Sequence, residues 1–405
     1  MGVRPSVTKD PRTLAGQAGL TGAVVIGGDY QGLGIVRSLG RQGVPVVVLD
    51  DELSIARVSR FSTRTVRAPS LRDEAATLEA LDAVRRTLGL EGWVLYPTRE
   101  ETVAALARNR ADLAGSFRVP TPAWESVRYA WDKRATYRLA QELGIPTPRC
   151  WFPSDEGDLR DVDLRGPVII KPAIKEHFIY ETHAKAWRAD SEQELRRLFA
   201  RARSIVGDDE VIVQELIPGD GSQQFSYCAL FKDGAALAGM TVQRRRQHPS
   251  DFGRASTFVE TVELPALHEP SIRFLQAIGY YGLVELEYKL DPGDGQYKLL
   301  DVNARTWGYH SIGQAAGVDF AHLLYQDQMG QEVAEARTRP GVRWIRLATD
   351  IPNAVVDLKA GRLRPGEYLR SLRGVHTEAV FTMRDPLPGL YELALLPYLF
   401  FKRGL

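Results

Sequence analysis

The chain has 405 residues, enough for two or three domains, and its 44% hydrophobic and 25% charged residues are those of an ordinary globular protein. Lys plus Arg number 52 and Asp plus Glu 51, so no overall imbalance points to nucleic acid or an anionic membrane, and any decisive electrostatics must be local. Cys150 and Cys228 are the only cysteines, which fits a reducing compartment and cannot supply a thiolate metal cage.

The first twenty residues contain no apolar signal-peptide core, and MGVRPS fits the myristoylation pattern only formally, with Pro5 inside it. No run reaches the length of a membrane span, so a cytoplasmic protein without a stable span is expected. After this leader, TGAVVIGGDYQGLGIVRSLGRQGVPVVVLDD (21–51) gives strand, Gly-rich turn, helix and strand, a βαβ unit with a parallel sheet. A helix over about 71–89, the strand WVLYP (93–97) and a helix from Glu100 complete a small doubly wound α/β domain over 21–120. The Gly-rich turn GGDYQGLG (27–34), with Asp50 and Asp51 some twenty residues on, invites a dinucleotide reading. The second position of that fingerprint is Asp29, however, and a carboxylate there repels pyrophosphate. A turn that packs the helix, or holds an uncharged or cationic substrate group, is the alternative.

VPTPAW (119–124) breaks the pattern, a helix over about 131–143 ends at Gly144, and IPTP follows in the Gly-then-Pro manner of a helix C-terminus. Strands are expected at 166–173, 210–217, 226–232 and 235–245, with helices at 190–205 and 266–278. RRRQHPSDFGRAST (244–257) reads as a polar loop leaving the sheet. GLVELEYKLDPGDGQYKLLDVN (282–303) reads as a hairpin around a turn dense in turn formers. A helix pair fills about 310–335. The tail ending LPGLYELALLPYLFFKRGL is too short and too Pro-interrupted to span a bilayer; docking or oligomer contact, compatible with a homodimer, is one reading and peripheral membrane contact the other.

On the hairpin, Glu285 and Glu287 share one side of the first strand, and Asp301 and Asn303 one side of the second. Their convergence calls for compensation, either by a hard cation such as Mg²⁺, which oxygen donors suit, or by Arg pairing on a solvated face. Lys133 stands at the start of a helix. Lys171 ends the apolar strand VIIKP, where an ammonium needs an anion. VIVQELIPGD (211–220) ends another apolar strand with groups able to meet a base edge and ribose hydroxyls.

In this order and spacing, over about residues 21–335, these pieces resemble the ATP-grasp superfamily, more closely its carboxylate-amine ligases, the group of D-aspartate ligase and D-alanine-D-alanine ligase types. The resemblance implies an α/β (α+β) ATP-grasp fold: an N-terminal domain at 21–120, a linker helix and ATP lid at 121–215, a C-terminal antiparallel sheet with the metal site at 216–338, and an extension at 339–405. It implies that Lys133 and Lys171 contact nucleotide phosphates and that Glu215, Leu216 and Ile217 form the adenine hinge. Glu287, Asp301 and Asn303 would bind Mg²⁺ (or Mn²⁺), and Arg305 would face phosphate or substrate. The family's usual ribose-binding Glu is missing, leaving Asp220, Gln223 or Gln224 to serve. The family's Gly-rich lid loop is also missing, since 172–187 lacks Gly; Lys175, His177 or Lys185 would cover the phosphates instead.

The implied reaction is ATP-dependent and ADP-forming. A small carboxylate takes the γ-phosphate, and an amine then displaces phosphate from the acyl phosphate. Arg254 and one of Arg244 to Arg246 are expected to contact the substrate or acyl phosphate. The competing readings are a biotin-carboxylase-like enzyme and a non-catalytic nucleotide-binding scaffold.

Overall fold

The computed structural model describes residues 21–403 apart from 250–252 and 254, with side chains described as far as residue 397. In the first unit, β1 (Ala23–Ile26), α1 (Tyr30–Arg41), β2 (Val46–Asp50), β3 (Arg64–Arg67), α2 (Glu74–Leu88) and β4 (Val94–Pro97) are followed by α3 (Glu100–Arg108) and α4 (Arg110–Ala114). The strands form a parallel sheet in the order β3-β2-β1-β4. Helices cover both faces, which is why AVVI and VVVLD are wholly buried rather than alternating.

The Gly-rich turn is a packing device. Gly27 has φ +94°, and a Cβ on Gly32 would lie 2.1 Å from the Gly27 carbonyl oxygen, so α1 meets β1 only without side chains there. Asp29 caps α1 by accepting from the Tyr30 N–H. Asp50 and Asp51 are clamped by Arg99 at 3.0 and 2.7 Å, which takes up the acids a ribose would need.

Two helices, α5 (Trp124–Trp131) and α6 (Lys133–Glu142), lead into the second unit. Asp132 caps α6, and Gly144 at φ +65° ends it ahead of Pro146. This second unit comprises β5 (Cys150–Trp151), β6 (Val168–Pro172), α7 (Glu176–Thr182), β7 (Trp187–Ala189), α8 (Glu192–Val206) and β8 (Val211–Glu215). Its antiparallel sheet runs β5-β8-β6-β7, and α8 closes its own small core over Val168, Ile170 and Val213. The Gly-free loop thus carries a short helix, α7.

The third unit contains β9 (Gln224–Lys232), β10 (Ala235–His248), β11 (Ala255–Thr261), α9 (His268–Ala277), β12 (Gly282–Leu290), β13 (Tyr297–Asn303), α10 (Ser311–Ala315) and α11 (Phe320–Gln328). It continues through β14 (Ala336–Arg337), β15 (Arg343–Ile345), α12 (Leu347–Lys359), α13 (Pro365–Leu372), β16 (Thr377–Glu378) and α14 (Leu387–Arg403). Its sheet runs β13-β12-β9-β10-β11-β15-β16, with β14 beside β10. Two sequence readings change here. Arg244 and Arg245 lie on β10, as the strand expected at 235–245 has them, and Arg246 joins them rather than a polar loop, because β10 runs on to His248 against β11. The segment read as an extension supplies β15 and β16 to this sheet.

The tail then closes back on the first unit. Asp385, 1% exposed, takes an ion pair from the buried Arg37 at 3.0 Å, a hydrogen bond from Ser59 Oγ at 2.7 Å and one from the Arg60 N–H at 2.9 Å. Arg37 also donates to the Val380 and Asp385 carbonyls. Removing one partner of such a buried pair strands the other charge. Asp385→Ala is therefore expected to destabilise the protein by about 3–5 kcal/mol, read as a large drop in the urea or thermal unfolding midpoint; a shift within error would show that the clasp contributes nothing.

Candidate active site

The β12–β13 register places Glu285 opposite Asn303 and Glu287 opposite Asp301. Four oxygen-bearing side chains thus occupy two adjacent rungs on one face. A shift of register between Glu287 and Tyr288 puts Leu299 into the core beside Tyr288 and leaves Leu300 on the cleft wall. Asn303 Nδ2 donates to Glu285 and to Glu287, each at 3.0 Å, and its carbonyl oxygen accepts from Arg305 at 3.3 Å. Arg244 pairs with Glu287 at 2.9 Å, and Lys133 pairs with Asp301. Cationic pairing is therefore present as well as convergence, but in a buried cleft and not on a solvated face.

The electrostatics follow from that burial. Burial alone would raise the Asp301 carboxyl, but Lys133, with Lys175 and Lys185, outweighs it and holds the group at about 2. Glu285 goes the other way: burial and the adjacent Glu287 push it up to about 7, against Tyr309, which donates to it. Lys171, 8% exposed, rests over the Tyr137 ring and donates to Tyr137 Oη at 2.7 Å and to Gln214. It has no carboxylate partner among the described residues, and burial lowers its ammonium to about 8. Lys185, half-buried, makes no hydrogen bond or ion pair among the described residues, and burial lowers it likewise to about 8.

These groups line a cleft between the lid sheet and the third sheet. One part, of about 140 Å³, is walled by Lys133, Lys171, Lys175, Lys185, Glu287 and Asp301. It runs into a larger part of about 470 Å³, with Ile169, Gln214, Gln224 and Leu300 common to both. The larger part is walled by Leu216, Ile217, Asp220 and Gly221. An apolar slot opening onto clustered cations has the shape and polarity of a site for a flat base carrying phosphates.

The remaining expected residues fall as follows. Glu215 turns its carboxylate out of the slot to Arg149 at 2.7 Å and Lys298 at 3.2 Å, leaving only its backbone for a base. Strand alternation instead aims Gln214 inward. Asp220 lines the slot but already accepts from the Ser222 N–H and hydroxyl at 2.8 and 2.6 Å. Gln223 does not line it, whereas Gln224 does. His177 faces away, bonded to Glu210 at 2.7 Å. Arg245 pairs with Glu260 and Arg246 with Asp350, so of the three arginines only Arg244 reaches the cleft. Arg254 lies outside the described residues. Arg305 is anchored to Glu100 of the first unit at 2.8 Å, and Glu100 lies 3.9 Å from Lys175.

Sequence reasoning missed Gln214, Tyr137, Glu100 and Lys289. Lys289 Nζ donates to the Ile217 and Gly219 carbonyls at 2.9 and 2.7 Å and so holds the slot's wall in place. A lysine alternating with Glu285 and Glu287 on β12 was the available signal.

The arrangement has counterparts among known proteins. The family model of the carbamoyl-phosphate synthase L chain ATP-binding domain matches residues 235–335. D-aspartate ligase of Enterococcus faecium is 22% identical over 324 residues, covering 76% of each chain. L-amino acid ligase from Bacillus licheniformis superposes with TM-score 0.61 at 18% identity, over 80% of this chain and 78% of that one. The biotin carboxylase domain of the Hydrogenobacter thermophilus 2-oxoglutarate carboxylase, solved with MgADP and bicarbonate, superposes with TM-score 0.64 at 14% identity, over 80% and 73%. The chain has the ATP-grasp fold. Likenesses at 14–22% identity establish the fold and leave the reaction to the chemistry of the cleft.

Among the described residues no three His, Cys, Asp or Glu side chains form a ready metal cluster. Glu287 and Asp301 with the Asn303 carboxamide do supply three hard oxygen donors on facing rungs, which fits Mg²⁺ sharing its remaining positions with phosphate and water.

Because Lys171 is depressed in the folded protein, its sign is opposite to that of an ion-paired lysine. The unfolded chain binds more protons between about pH 8 and the ordinary lysine value, so this group costs stability below that window and ceases to do so above it. Lys171→Met is expected to raise the unfolding temperature of the ligand-free protein at pH 7 and to abolish the further rise given by ATP with Mg²⁺. A variant that keeps the ATP-induced rise would remove Lys171 from the phosphate site.

Proposed function

We propose that this protein uses ATP to join a small carboxylic acid, most naturally an amino acid, to an amine, releasing ADP and phosphate. One observation carries the reading: Lys171 and Lys185 are withdrawn from water without carboxylate partners, at the end of a base-sized slot and facing oxygen donors suited to Mg²⁺. Cations so placed need an anion, and a nucleotide triphosphate has the required length and charge.

The working parts in this reading are an N-terminal domain at 21–120, a lid at 121–215 and a catalytic sheet at 216–338, with 339–405 bracing sheet and N-terminal domain together. An oxygen of the substrate carboxylate attacks the γ-phosphorus, the bond to the bridging oxygen breaks and ADP departs with its electron pair. The amine lone pair then attacks the acyl carbon, phosphate leaves with the C–O electrons and the amine loses a proton. Neither step needs a side-chain nucleophile; both need position and charge neutralisation. Lys133, Lys171 and Lys185 neutralise phosphate oxygens, while Gln214, Leu216 and Ile217 wall the base. Asp220 or Gln224 takes the ribose. Glu287, Asp301 and Asn303 would hold Mg²⁺, or Mn²⁺ with the same donors, which supplies further charge neutralisation on the phosphates when bound. Arg305, fixed by Glu100 and Asn303, presents its guanidinium toward the transferred group, and Arg254 is proposed as a second contact. D-aspartate ligase and L-amino acid ligase among the similar proteins support amino acids as the first acids to try. A cytoplasmic setting suits the free Cys150 and Cys228.

The test is ADP release across a panel of amino acids and small acids with amines, bicarbonate omitted. Turnover that requires one acid and one amine is expected, with Asp301→Ala lowering kcat/KM by about 100-fold or more. Turnover that depends on bicarbonate alone would move the chain to the carboxylases, and activity surviving in Asp301→Ala would overturn the metal assignment.

A further inference from the structure

The large apolar side chains most open to solvent are not scattered over this protein. Among the described residues all but Tyr180 fall between residues 351 and 393. On α14, Leu387, Leu390 and Leu393 recur every third residue and are 56, 60 and 50% exposed, while Glu392 and Leu395 of the same helix face inward. On α12, Ile351 and Val355, one turn apart, are exposed, with Asn353 and Ala354 buried. The Arg346–Glu392 pair, 3.1 Å, ties the base of α12 to the middle of α14. Exposed apolar stripes on two linked helices mark an interaction surface.

The charges of the same segment are sorted. Its acids are spent internally: Asp350 on Arg246, Asp385 on Arg37 and Glu392 on Arg346, while Glu378 accepts from the Leu347, Val380 and Phe381 N–H groups. Asp357 is paired with Arg362 at 2.7 Å. What remains at the surface is basic, namely Lys359, Arg364, Arg370, Arg373 and Arg384, against Glu367.

We propose that this face of the C-terminal segment rests on an anionic lipid surface, with the apolar stripe of α14 in the headgroup region and the exposed arginines against lipid phosphates. An exposed apolar helical stripe in a segment whose remaining exposed charges are mostly basic has the ingredients of a helix lying in a membrane interface. A second copy of the chain is the poorer occupant, because a two-fold contact sets the same basic surface against itself. Spanning is not at issue, since no helix among the described residues is long and apolar enough to cross a bilayer. The proposal is independent of the ligase reading.

Sedimentation of the full-length protein with vesicles of phosphatidylcholine alone, and of phosphatidylcholine with phosphatidylglycerol, tests it. Binding is expected only to the anionic vesicles, weakening steeply with salt. Arg370→Glu with Arg373→Glu should lower it by about fivefold or more per cation, and Leu390→Asp with Leu393→Asp should abolish it, with ADP release and circular dichroism unchanged in both. Failure to bind anionic vesicles, or binding indifferent to salt and to both variant pairs, would overturn the proposal. So would a dimer of the native chain in analytical ultracentrifugation that Leu390→Asp with Leu393→Asp converts to monomer, which would give the face to a second copy.

Discussion

Glu287 and Asp301 face each other across one rung of the β12–β13 ladder, with Glu285 and Asn303 on the next, on the wall of a half-buried cleft. Like charges so close can stay ionised only if cations answer them, and the cations here come from separate parts of the chain. Lys133 stands at the head of α6, Arg244 lies on β10 and Lys185 comes from the lid. The need to balance those carboxylates draws linker, sheet and lid into one place. It also leaves Lys171 without an acid of its own among the described residues and gathers more cations than carboxylates in the cleft.

The surrounding architecture holds this balance in position. Arg305 joins the third unit's sheet to Glu100 of the first unit, and Lys289 fixes the carbonyls of the wall at 217–219. The tail closes the same seam from the other side, Asp385 gripping Arg37 and Arg346 lying over the Tyr30 ring at 4.1 Å. The N-terminal Gly-rich turn takes part by packing rather than by binding phosphate, since its glycines make room for backbone and side chains and its neighbouring acids are held by Arg99. Arg346 and the Asp29 cap, 3.9 Å apart, bring the tail to that turn.

Strand and helix order was largely legible because the apolar runs were short, well punctuated and of clear period. VIIKP and VIVQE are strands, DKRATYRLAQELG is a capped helix with a Gly stop, and GLVELEYKL pairs with YKLLDVN. RRRQH was misread as loop because polarity was taken for exposure. On β10 the arginines are answered by Glu287, Glu260 and Asp350, residues far away in sequence. The strands β15 and β16 are three and two residues long, too short for any periodic signal, and exist only because β11 offers an edge to β15 and β15 in turn offers one to β16. Glu285 gave no hint that its proton would be held to about pH 7, since that depends on burial and on the charge across the rung.

By itself the sequence determined which residue types could do the chemistry: oxygen donors on alternate positions of one hairpin, lysines at the ends of apolar strands and a hinge-like strand terminus. Alternation along a strand is a local property, so a linear reading suffices to put Asp301 and Asn303 on one face. Tertiary structure decided which of those groups meet, which are spent on other partners and which are left in need of a ligand. Gln214 rather than the Glu215 carboxylate faces the slot, Arg244 rather than Arg246 reaches the cleft, and the acids of the tail turn inward while its cations and leucines stay outside. These outcomes rest on burial and on charge pairing between distant segments, and neither quantity exists until the chain has folded.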